Sequence, residues 1–241
     1  MLSVLFYLFL FVICTFFLVL SAVALLLTWP FDKSRKIVHE LSRILVRIFY
    51  AVPPLWKFRV TGREYIDRRK PYVIVVNQAG LDIPTLYFVP LNFRWVSKRE
   101  VFKVPFFGQF LLLHGDICIN RGHATAAMEK VIRDGKLWLS RGASVAIFPE
   151  GTRSHDGEIH RFKAGAFTLA REAGVEILPV VLDGTTTMIG RNGMFNWRNK
   201  LTVSILPPVS AERVAAADPK ELMEQVRASM CVRLAEIKKQ K

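Results

Sequence analysis

The chain has 241 residues, 51% of them hydrophobic, which suits one domain with a full buried core plus a short appendage. Its formal net charge of +14 implies a polyanion or an anionic surface nearby. No nucleic-acid-binding signature is present, so anionic lipid headgroups are the simpler partner. The three cysteines, Cys14, Cys118 and Cys231, have neither metal-ligand nor redox spacing and fit small buried residues in a reducing compartment.

The first predicted element is a membrane helix over residues 1–30. Residues 1–29 contain no charged side chain, no Gly and no Pro, and at about 1.5 Å per residue they exceed a hydrocarbon layer of roughly 30 Å. A signal peptide fits less well because the run is long and has no basic start, and a hairpin in one leaflet would need a breaker. Lys33, Arg35 and Lys36 follow directly, so the positive-inside rule places the globular part on the cytoplasmic face of the membrane.

A second helix is predicted within residues 31–55. Ile37, Leu41, Ile44, Leu45 and Ile48 recur at helical spacing, and Pro53 and Pro54 end the segment. Two interpretations remain open: an amphipathic helix in the membrane interface, or an ordinary helix packed on the core.

Strands and helices alternate through the rest of the chain, residues 56–241. Six short runs rich in Val and Ile are predicted as strands, at residues 72–76, 93–96, 116–120, 144–148, 175–182 and 201–206. The clearest helix between them covers residues 125–140. This alternation predicts an α/β domain with a mixed sheet covered by helices.

A last helix is predicted to begin at residue 219. Asp218 is a suitable cap, Pro219 takes the first helical position and Glu221 completes a capping box. Its buried stripe is predicted to consist of Met223, Val226, Met230 and Leu234.

The turn at residues 148–154 has the composition of an anion site. It follows a predicted strand and contains Glu150, Gly151, Thr152 and Arg153. Gly151 lets the backbone approach a ligand, Thr152 and main-chain N–H groups donate, and Arg153 can grip a phosphate through two bonds. A tight turn with a surface ion pair is the plainer alternative.

Four segments follow or form predicted strands, and their loops are expected at one end of the sheet: residues 77–82, 115–121, 148–154 and 177–181. In order and spacing this set resembles the glycerolipid acyltransferase family, specifically the bacterial 1-acylglycerol-3-phosphate acyltransferases, over residues 56–208. The order of four blocks is far more specific than any one of them.

The resemblance implies transfer of a fatty acyl group from acyl-CoA or acyl-ACP to the sn-2 hydroxyl of lysophosphatidate, giving phosphatidate at the membrane. It implies that Asp82 orients a catalytic His, that Arg121 and Arg153 contact the glycerol phosphate, and that Glu150, Gly151 and Thr152 belong to the headgroup site. It also places Pro179 on the acyl or donor side. The donor is a substrate, and neither a cofactor, a nucleotide loop nor a metal centre is predicted.

The first block departs from the family pattern where a His is expected as general base. Counting back from Asp82 with the family spacing reaches Asn77, whose amide cannot take a proton at neutral pH. Alternatively, Asn77 matches the Asn that often precedes the His, and the His itself is missing. The remaining histidines, His39, His114, His123, His155 and His160, lack an Asp at the family spacing and are interpreted as solvated or structural. Of these, His155 is the best placed to replace the missing base, because it follows the turn at 148–154.

Three hypotheses follow for the function. The chain belongs to a working acyltransferase lineage altered near residue 77, or it is a non-catalytic protein that binds lysophospholipid or acyl donor, or it acylates another lyso-lipid. Two further cations near the blocks, Lys98 and Lys163, are either ligands or surface lysines.

Overall fold

The computed structural model describes residues 2–52, 55–78, 80, 82–120, 122, 124–154, 156–188, 194 and 196–240. It begins with two helices, α1 (Leu2–Thr28) and α2 (Lys36–Ala51). The sheet then comprises strands β1 (Leu55–Thr61), β2 (Val73–Val76), β3 (Phe93–Lys98), β4 (Ile117–Ile119), β5 (Ser144–Ile147), β6 (Ile177–Asp183) and β7 (Arg198–Ile205). The remaining helices are α3 (Asp82–Leu86), α4 (Phe107–His114), α5 (Ala124–Ser140), α6 (Gly165–Ala173), α7 (Ala211–Ala216) and α8 (Pro219–Lys239).

The seven strands form one mixed sheet in the order β1-β7-β6-β2-β5-β3-β4. Strands β6, β2, β5, β3 and β4 are mutually parallel, and β7 runs antiparallel to β6. Because the strands alternate their side chains, the sheet has two buried faces. One face packs against α5, α6 and α8, and the other packs against α3 and part of α2. The predicted α/β fold with a mixed, helix-covered sheet is confirmed.

Helix α1 is the membrane-helix candidate. Its segment Val4–Thr28 is long and apolar enough to cross a bilayer. Most of its large side chains are exposed, whereas one stripe, with Phe17 at its centre, packs against Leu41 and Leu45 of α2 and Phe110 of α4. An uncovered apolar helix fits an anchor in lipid, because exposed Leu, Val and Phe side chains are unfavourable in water.

Helix α2 is packed into the domain on one side. Val38, Leu45 and Tyr50 are buried, and Tyr50 packs with Met188 and Leu201. Two members of the predicted stripe, Ile37 and Ile44, are instead exposed. The interpretation of α2 as a helix packed on the core therefore holds for its buried side, which contacts the sheet.

The sequence prediction missed strand β1 and misplaced part of the buried stripe of α8. In β1, Lys57 and Arg59 alternate with Phe58 and Val60, so the strand lacks the continuous apolar run of its neighbours. In α8 the cap at Asp218 is confirmed, since its carboxylate accepts from the N–H groups of Lys220 and Glu221. The Glu221 side chain, however, accepts from Gln225, and the buried stripe is Leu222, Val226, Met230, Leu234 and Ile237, with Met223 only partly buried.

Candidate functional site

The candidate site lies at the carboxyl ends of the parallel strands. Asn77 follows β2, Phe148 follows β5 and Gly184 follows β6. These three strands are neighbours in the sheet, in the order β6-β2-β5. The loops that carry the predicted first and third blocks therefore leave the same edge, where open α/β sheets bind their ligands.

Asn77 is buried and fully engaged with the neighbouring strand. Its Nδ2 donates to the carbonyl oxygen of Leu182 at 2.9 Å, and its Oδ1 accepts from the Leu182 N–H at 2.7 Å. The amide thus continues the main-chain pairing of β2 with β6 beyond the last strand residue. Since both its polar atoms are hydrogen-bonded, Asn77 has a structural role and holds the ends of β2 and β6 together. We call this pair of hydrogen bonds between Asn77 and Leu182 the bracket.

Asp82 is the first residue of α3 and is 1% exposed. The Thr185 hydroxyl donates to its Oδ1 at 2.6 Å, and the Gly80 N–H donates to its Oδ2 at 2.9 Å. A Cβ added to Gly80 would lie 2.4 Å from the Thr185 carbonyl oxygen, so this close approach of two backbones requires glycine. Asp82 is therefore a buried carboxylate with a defined orientation. Thr185 was missed by the sequence prediction, although it follows the strand β6 through the Asp183-Gly184 turn.

Glu150 joins the first and third blocks. It is 5% exposed, and its two carboxylate oxygens accept from the main-chain N–H groups of Gln78 and His160, each at 2.9 Å. The Ser154 N–H also donates to the Gln78 carbonyl oxygen at 2.9 Å. Burial raises the pKa of the Glu150 carboxyl, although the two main-chain donors oppose that rise. Glu150 thus positions the loops from within.

Gly151, Thr152, Arg153 and Lys163 form the outer part of the turn. Gly151 has φ +72°, a conformation that favours glycine, and its Cα faces the Lys163 side chain, where an added Cβ would lie 2.9 Å from Nζ. Thr152 and Arg153 are exposed. The turn therefore combines two cationic side chains and a hydroxyl next to the oriented Asp82 and Glu150 loops, which suits a phosphate group.

The other predicted site residues lie in different settings. Lys98 is the exposed last residue of β3, at the same edge of the sheet but beyond β5. Pro179 is buried inside β6, where it pairs with Val75, four residues before the strand ends. Arg121 lies outside the described residues, and its neighbour Asn120 is exposed after β4. A further basic residue, Arg94, is completely buried, and its guanidinium donates to the carbonyl groups of Phe93 and Ser34.

Two of the five histidines are buried structural residues. His39 is stacked on Tyr87 and meets Phe93, the first residue of β3, so it lies near the amino end of that strand. His114 exchanges hydrogen bonds with the Ser42 hydroxyl at 2.6 Å and the Tyr87 hydroxyl at 2.9 Å. Neither ring lies among the loops at the carboxyl edge.

Among the other three histidines, His123 and His155 lie outside the described residues, and His160 lies in the Glu150 loop. The exposed His160 Nε2 is 3.0 Å from Asp156 Oδ1. The Glu158 N–H, the Ser154 hydroxyl and His160 together lower the pKa of Asp156 to about 2. This His–Asp pair was not visible in the sequence, because the prediction sought the family spacing rather than spacing of four residues. It orders the turn around Ser154.

Comparisons with known proteins give a consistent result. The family model described as Acyltransferase matches residues 57–183, which include all four predicted blocks. The chain is 33% identical to the 1-acyl-sn-glycerol-3-phosphate acyltransferase of Saccharomyces cerevisiae over 207 residues, covering 83% of this chain and 68% of that protein. It is also 33% identical over 204 residues to a chloroplastic 1-acyl-sn-glycerol-3-phosphate acyltransferase of Arabidopsis thaliana, covering 83% of this chain.

A 1-acyl-sn-glycerol-3-phosphate acyltransferase of Chlamydomonas reinhardtii is 36% identical over 165 residues, which cover 68% of this chain. The chain spans about half the length of the algal and Arabidopsis relatives, 49% and 56% respectively. In fold it resembles the crystal structure of the 1-acyl-sn-glycerophosphate acyltransferase of Thermotoga maritima. The TM-score is 0.70 at 23% identity, over 98% of this chain and 96% of that one.

Proposed function

This chain belongs to the acyltransferase family, and on that premise we propose that its site is built to acylate 1-acylglycerol-3-phosphate. The acyl group would come from a thioester donor, acyl-CoA or acyl-ACP, and the product would be phosphatidate. We further propose that this chain keeps the groups that hold the substrates but lacks the general base. The relatives are named for this reaction, and the site geometry supports each half of the proposal in turn.

One observation carries the substrate-holding half: Glu150 ties the anion-binding turn to the loop of Asp82. Its two carboxylate oxygens accept from Gln78 and His160, so the turn at 151–153 and the Asp82 carboxylate are positioned together. A phosphate bound by Arg153 and Lys163 would then place an attached glycerol hydroxyl toward the Asp82 side. Positioning of this kind is a major source of rate enhancement in two-substrate reactions.

The reaction needs a base at that point. The sn-2 hydroxyl oxygen attacks the thioester carbonyl carbon, the carbon–sulfur bond breaks, and the thiol leaves. The hydroxyl proton must pass to a base, and a positioned base contributes about 10²- to 10⁴-fold. Asp82 is held by Thr185 and Gly80 in the manner of a group that orients such a base.

The bracket formed by Asn77 supports the view that the base is missing rather than replaced. An imidazole at position 77 would have to leave the Leu182 main chain, which the Asn77 amide now pairs on both sides. The next residue, Gln78, is already fixed through its N–H and carbonyl groups. A histidine inserted between Asn77 and Gln78 would keep the hydrogen bonds of Asn77 to Leu182 and those of the Gln78 main chain. It would lengthen only the loop that leads to Asp82.

The membrane placement is part of the same proposal. The uncovered apolar surface of α1 would hold the domain at a bilayer, where a lyso-lipid acceptor resides, and the basic residues after α1 would keep the domain on the cytoplasmic face. Lysophosphatidate, other membrane lipids and the acyl donor are the partners in this proposal.

The test is to measure phosphatidate formation from lysophosphatidate and acyl-CoA or acyl-ACP, in detergent micelles, for three chains. These are the parent, Asn77→His, and a chain with one His inserted between Asn77 and Gln78. We expect an inert parent, strong turnover after the insertion, and no recovery with Asn77→His. Substantial turnover by the parent would refute the loss of the base, and His160→Gln would then show whether the His160–Asp156 pair replaces it.

A non-catalytic binding protein is the second candidate, favoured by the fully satisfied bracket at Asn77 beside an intact anion-binding turn. It predicts that lysophosphatidate binds to the parent and that neither histidine variant turns over any lyso-lipid. Supplying monoacylglycerol and a zwitterionic lyso-lipid in the same assay separates both candidates from an acyltransferase with another acceptor.

A further inference from the structure

A basic groove lies beside the candidate site, on the face of the sheet covered by α8. It has a volume of about 200 Å³ and is lined by side chains of β1, β7 and α8. Four of the lining residues are cationic: Lys57, Arg59, Lys200 and Arg233. None of the described lining residues is acidic, and the hydroxyl groups of Thr61 and Thr202 add hydrogen-bonding capacity. We refer to this feature as the basic groove.

The register of the strands concentrates the charge. Lys57 is directly opposite Lys200 in the parallel pair β1–β7, and Arg59 is opposite Thr202. Residues two apart share a face, so these side chains all point into the groove. Like charges directly opposite each other destabilise a sheet. The register therefore places the cationic side chains of Lys57 and Lys200 next to each other on the groove face of the sheet.

Protection of the sheet edge does not account for this arrangement. Exposed edge strands often carry Lys to prevent pairing with another chain, and β1 is such an edge. Lys200, however, lies in β7, which is hydrogen-bonded to β1 on one side and β6 on the other. Lys200 is therefore not at an exposed edge, and its charge is not needed to prevent pairing with another chain.

Arg233 shows that the wall of the groove is held in place. Its Nε donates to the Ser204 hydroxyl at 2.7 Å, and Nη2 donates to the Thr61 hydroxyl at 3.3 Å. Nη1 pairs with Glu236 at 2.8 Å, and Arg59 donates to Gln240 at 3.1 Å. These bonds connect α8 to β1 and β7 and fix one guanidinium at the groove floor.

The groove is close to the candidate site but on the opposite side of the sheet from α2. Because β7 runs antiparallel and Asp183 pairs with Thr202, Lys200 lies beyond the end of β6, at the carboxyl edge. The neighbouring Asn199 donates to the Gly184 carbonyl oxygen at 3.0 Å, and Thr185 follows Gly184 and bonds Asp82. Two to three strand spacings, about 10 to 14 Å, separate the groove from Asn77.

We propose that the basic groove binds the phosphate groups of coenzyme A, the water-soluble carrier of the acyl donor. The proposal rests on the proposed function and assigns a place to its second substrate. Clustered phosphates match the cationic side chains of Lys57, Arg59 and Lys200, which lie beside the Arg233–Glu236 ion pair. The side chains point away from α2 and α1, so a soluble carrier fits better than a lipid headgroup. The pantetheine arm would run along the carboxyl edge and bring the thioester toward Asp82.

The experiment measures binding of coenzyme A, without an acyl group, to the full chain in detergent micelles at 0.15 M salt by calorimetry. The test variant combines Lys57→Gln with Lys200→Gln, and the matched control combines Arg63→Gln with Arg68→Gln, which removes the same charge near the opposite end of β1. We expect affinity at least about tenfold weaker in the test variant and within about twofold in the control, because salt screens distant charges. Pantetheine affinity should not change.

Stability gives an independent readout of the same variant. Removing the opposed lysine charges should leave the thermal midpoint unchanged or raise it, so a loss of binding would not reflect unfolding. Should the double variant fold poorly, Arg59→Gln and competition by adenosine 3′,5′-bisphosphate against coenzyme A on the parent take its place, with weaker binding and full competition expected.

Three results would overturn the proposal. The test variant could bind coenzyme A with unchanged affinity, or the control variant could lose as much affinity as the test variant. The test variant could also lose binding to phosphatidate vesicles while it still binds coenzyme A. The last result would assign the groove to lipid headgroups. None of these measurements requires turnover, so failure of the groove leaves the proposed acylation intact. Absence of acylation after histidine insertion, with groove binding confirmed, would instead reject the proposed function.

Discussion

The side-chain amide of Asn77 and the main chain of Leu182 exchange two hydrogen bonds, at 2.9 and 2.7 Å, across the ends of β2 and β6. Replacing Asn77 by Ala would leave a buried donor and a buried acceptor without partners. We expect a loss of about 2 to 4 kcal/mol in the free energy of unfolding, measured by urea denaturation in micelles. Asn120→Ala, at an exposed position where the side chain accepts from the Gly122 N–H, is the control and should change stability far less. Equal losses in the two variants would mean that the two hydrogen bonds of Asn77 do not contribute specifically to the free energy of unfolding.

The second prediction concerns the Thr185 hydroxyl, which donates to the buried Asp82 carboxylate at 2.6 Å. Thr185→Val keeps the shape of the side chain and removes the donor. Made in the parent chain, this substitution should lower the free energy of unfolding by about 1.5 to 3 kcal/mol, the usual range for a hydrogen bond to a charged group. In the histidine-inserted chain, turnover should fall while the KM for lysophosphatidate stays nearly constant, since Thr185 acts through Asp82.

The matched control for Thr185 is Thr186→Val, because Thr186 is its exposed neighbour in the same turn. Turnover that fell equally in both variants would point to a general loosening of the turn after β6. A rise in KM without a change in turnover would instead place Thr185 at the acceptor.

The third prediction tests Arg153 as a phosphate ligand. Arg153 is exposed in the turn at 148–154, next to Thr152. Arg153→Ala should weaken lysophosphatidate binding by about 1.5 to 3 kcal/mol, because a charge-assisted bond is lost. Binding of monoacylglycerol, which lacks the phosphate, should not change, and Arg161→Ala in the following segment serves as the control. An affinity for lysophosphatidate that survived Arg153→Ala would reject this role.

The fourth prediction concerns pH and the packing of α2. His39 is completely buried, and burial lowers its pKa well below the ordinary value, with the charges of Arg94, His114 and Arg43 acting in the same direction. The folded protein therefore holds His39 neutral, whereas the unfolded chain takes up a proton near pH 6.5. Because the unfolded state binds more protons, stability rises with pH and is lost as the pH falls below about 6.5.

His39→Phe should remove that contribution while keeping the ring contacts with Tyr87 and Phe93. Unfolding free energies between pH 7 and 5 should fall less steeply in this variant than in the parent. Identical slopes for parent and His39→Phe would show that another group controls the acid sensitivity.

Local patterns were sufficient for the elements whose signals lie close together in the chain. The cap at Asp218, the strands of buried Val and Ile and the helix at 124–140 depend on neighbours within a few residues, and each was placed to within two or three positions. Strand β1 was missed because one of its faces is basic and open. The burial of Arg94 could not be predicted, because the main-chain carbonyl groups that hold its guanidinium leave no signal in the sequence.

The sequence by itself determined the α/β class, the apolar N-terminal helix, the composition of the turn at 148–154 and the absence of a histidine from residues 77–82, since periodicity, composition and spacing are properties of adjacent residues. Only the tertiary structure decided which residues those segments contact. Asn77 meets Leu182 across 105 positions, Thr185 meets Asp82 across 103, and Lys57 is opposite Lys200. Hydrogen bonds and charge contacts act over a few ångströms, so their partners are known only once the sheet has brought distant segments together.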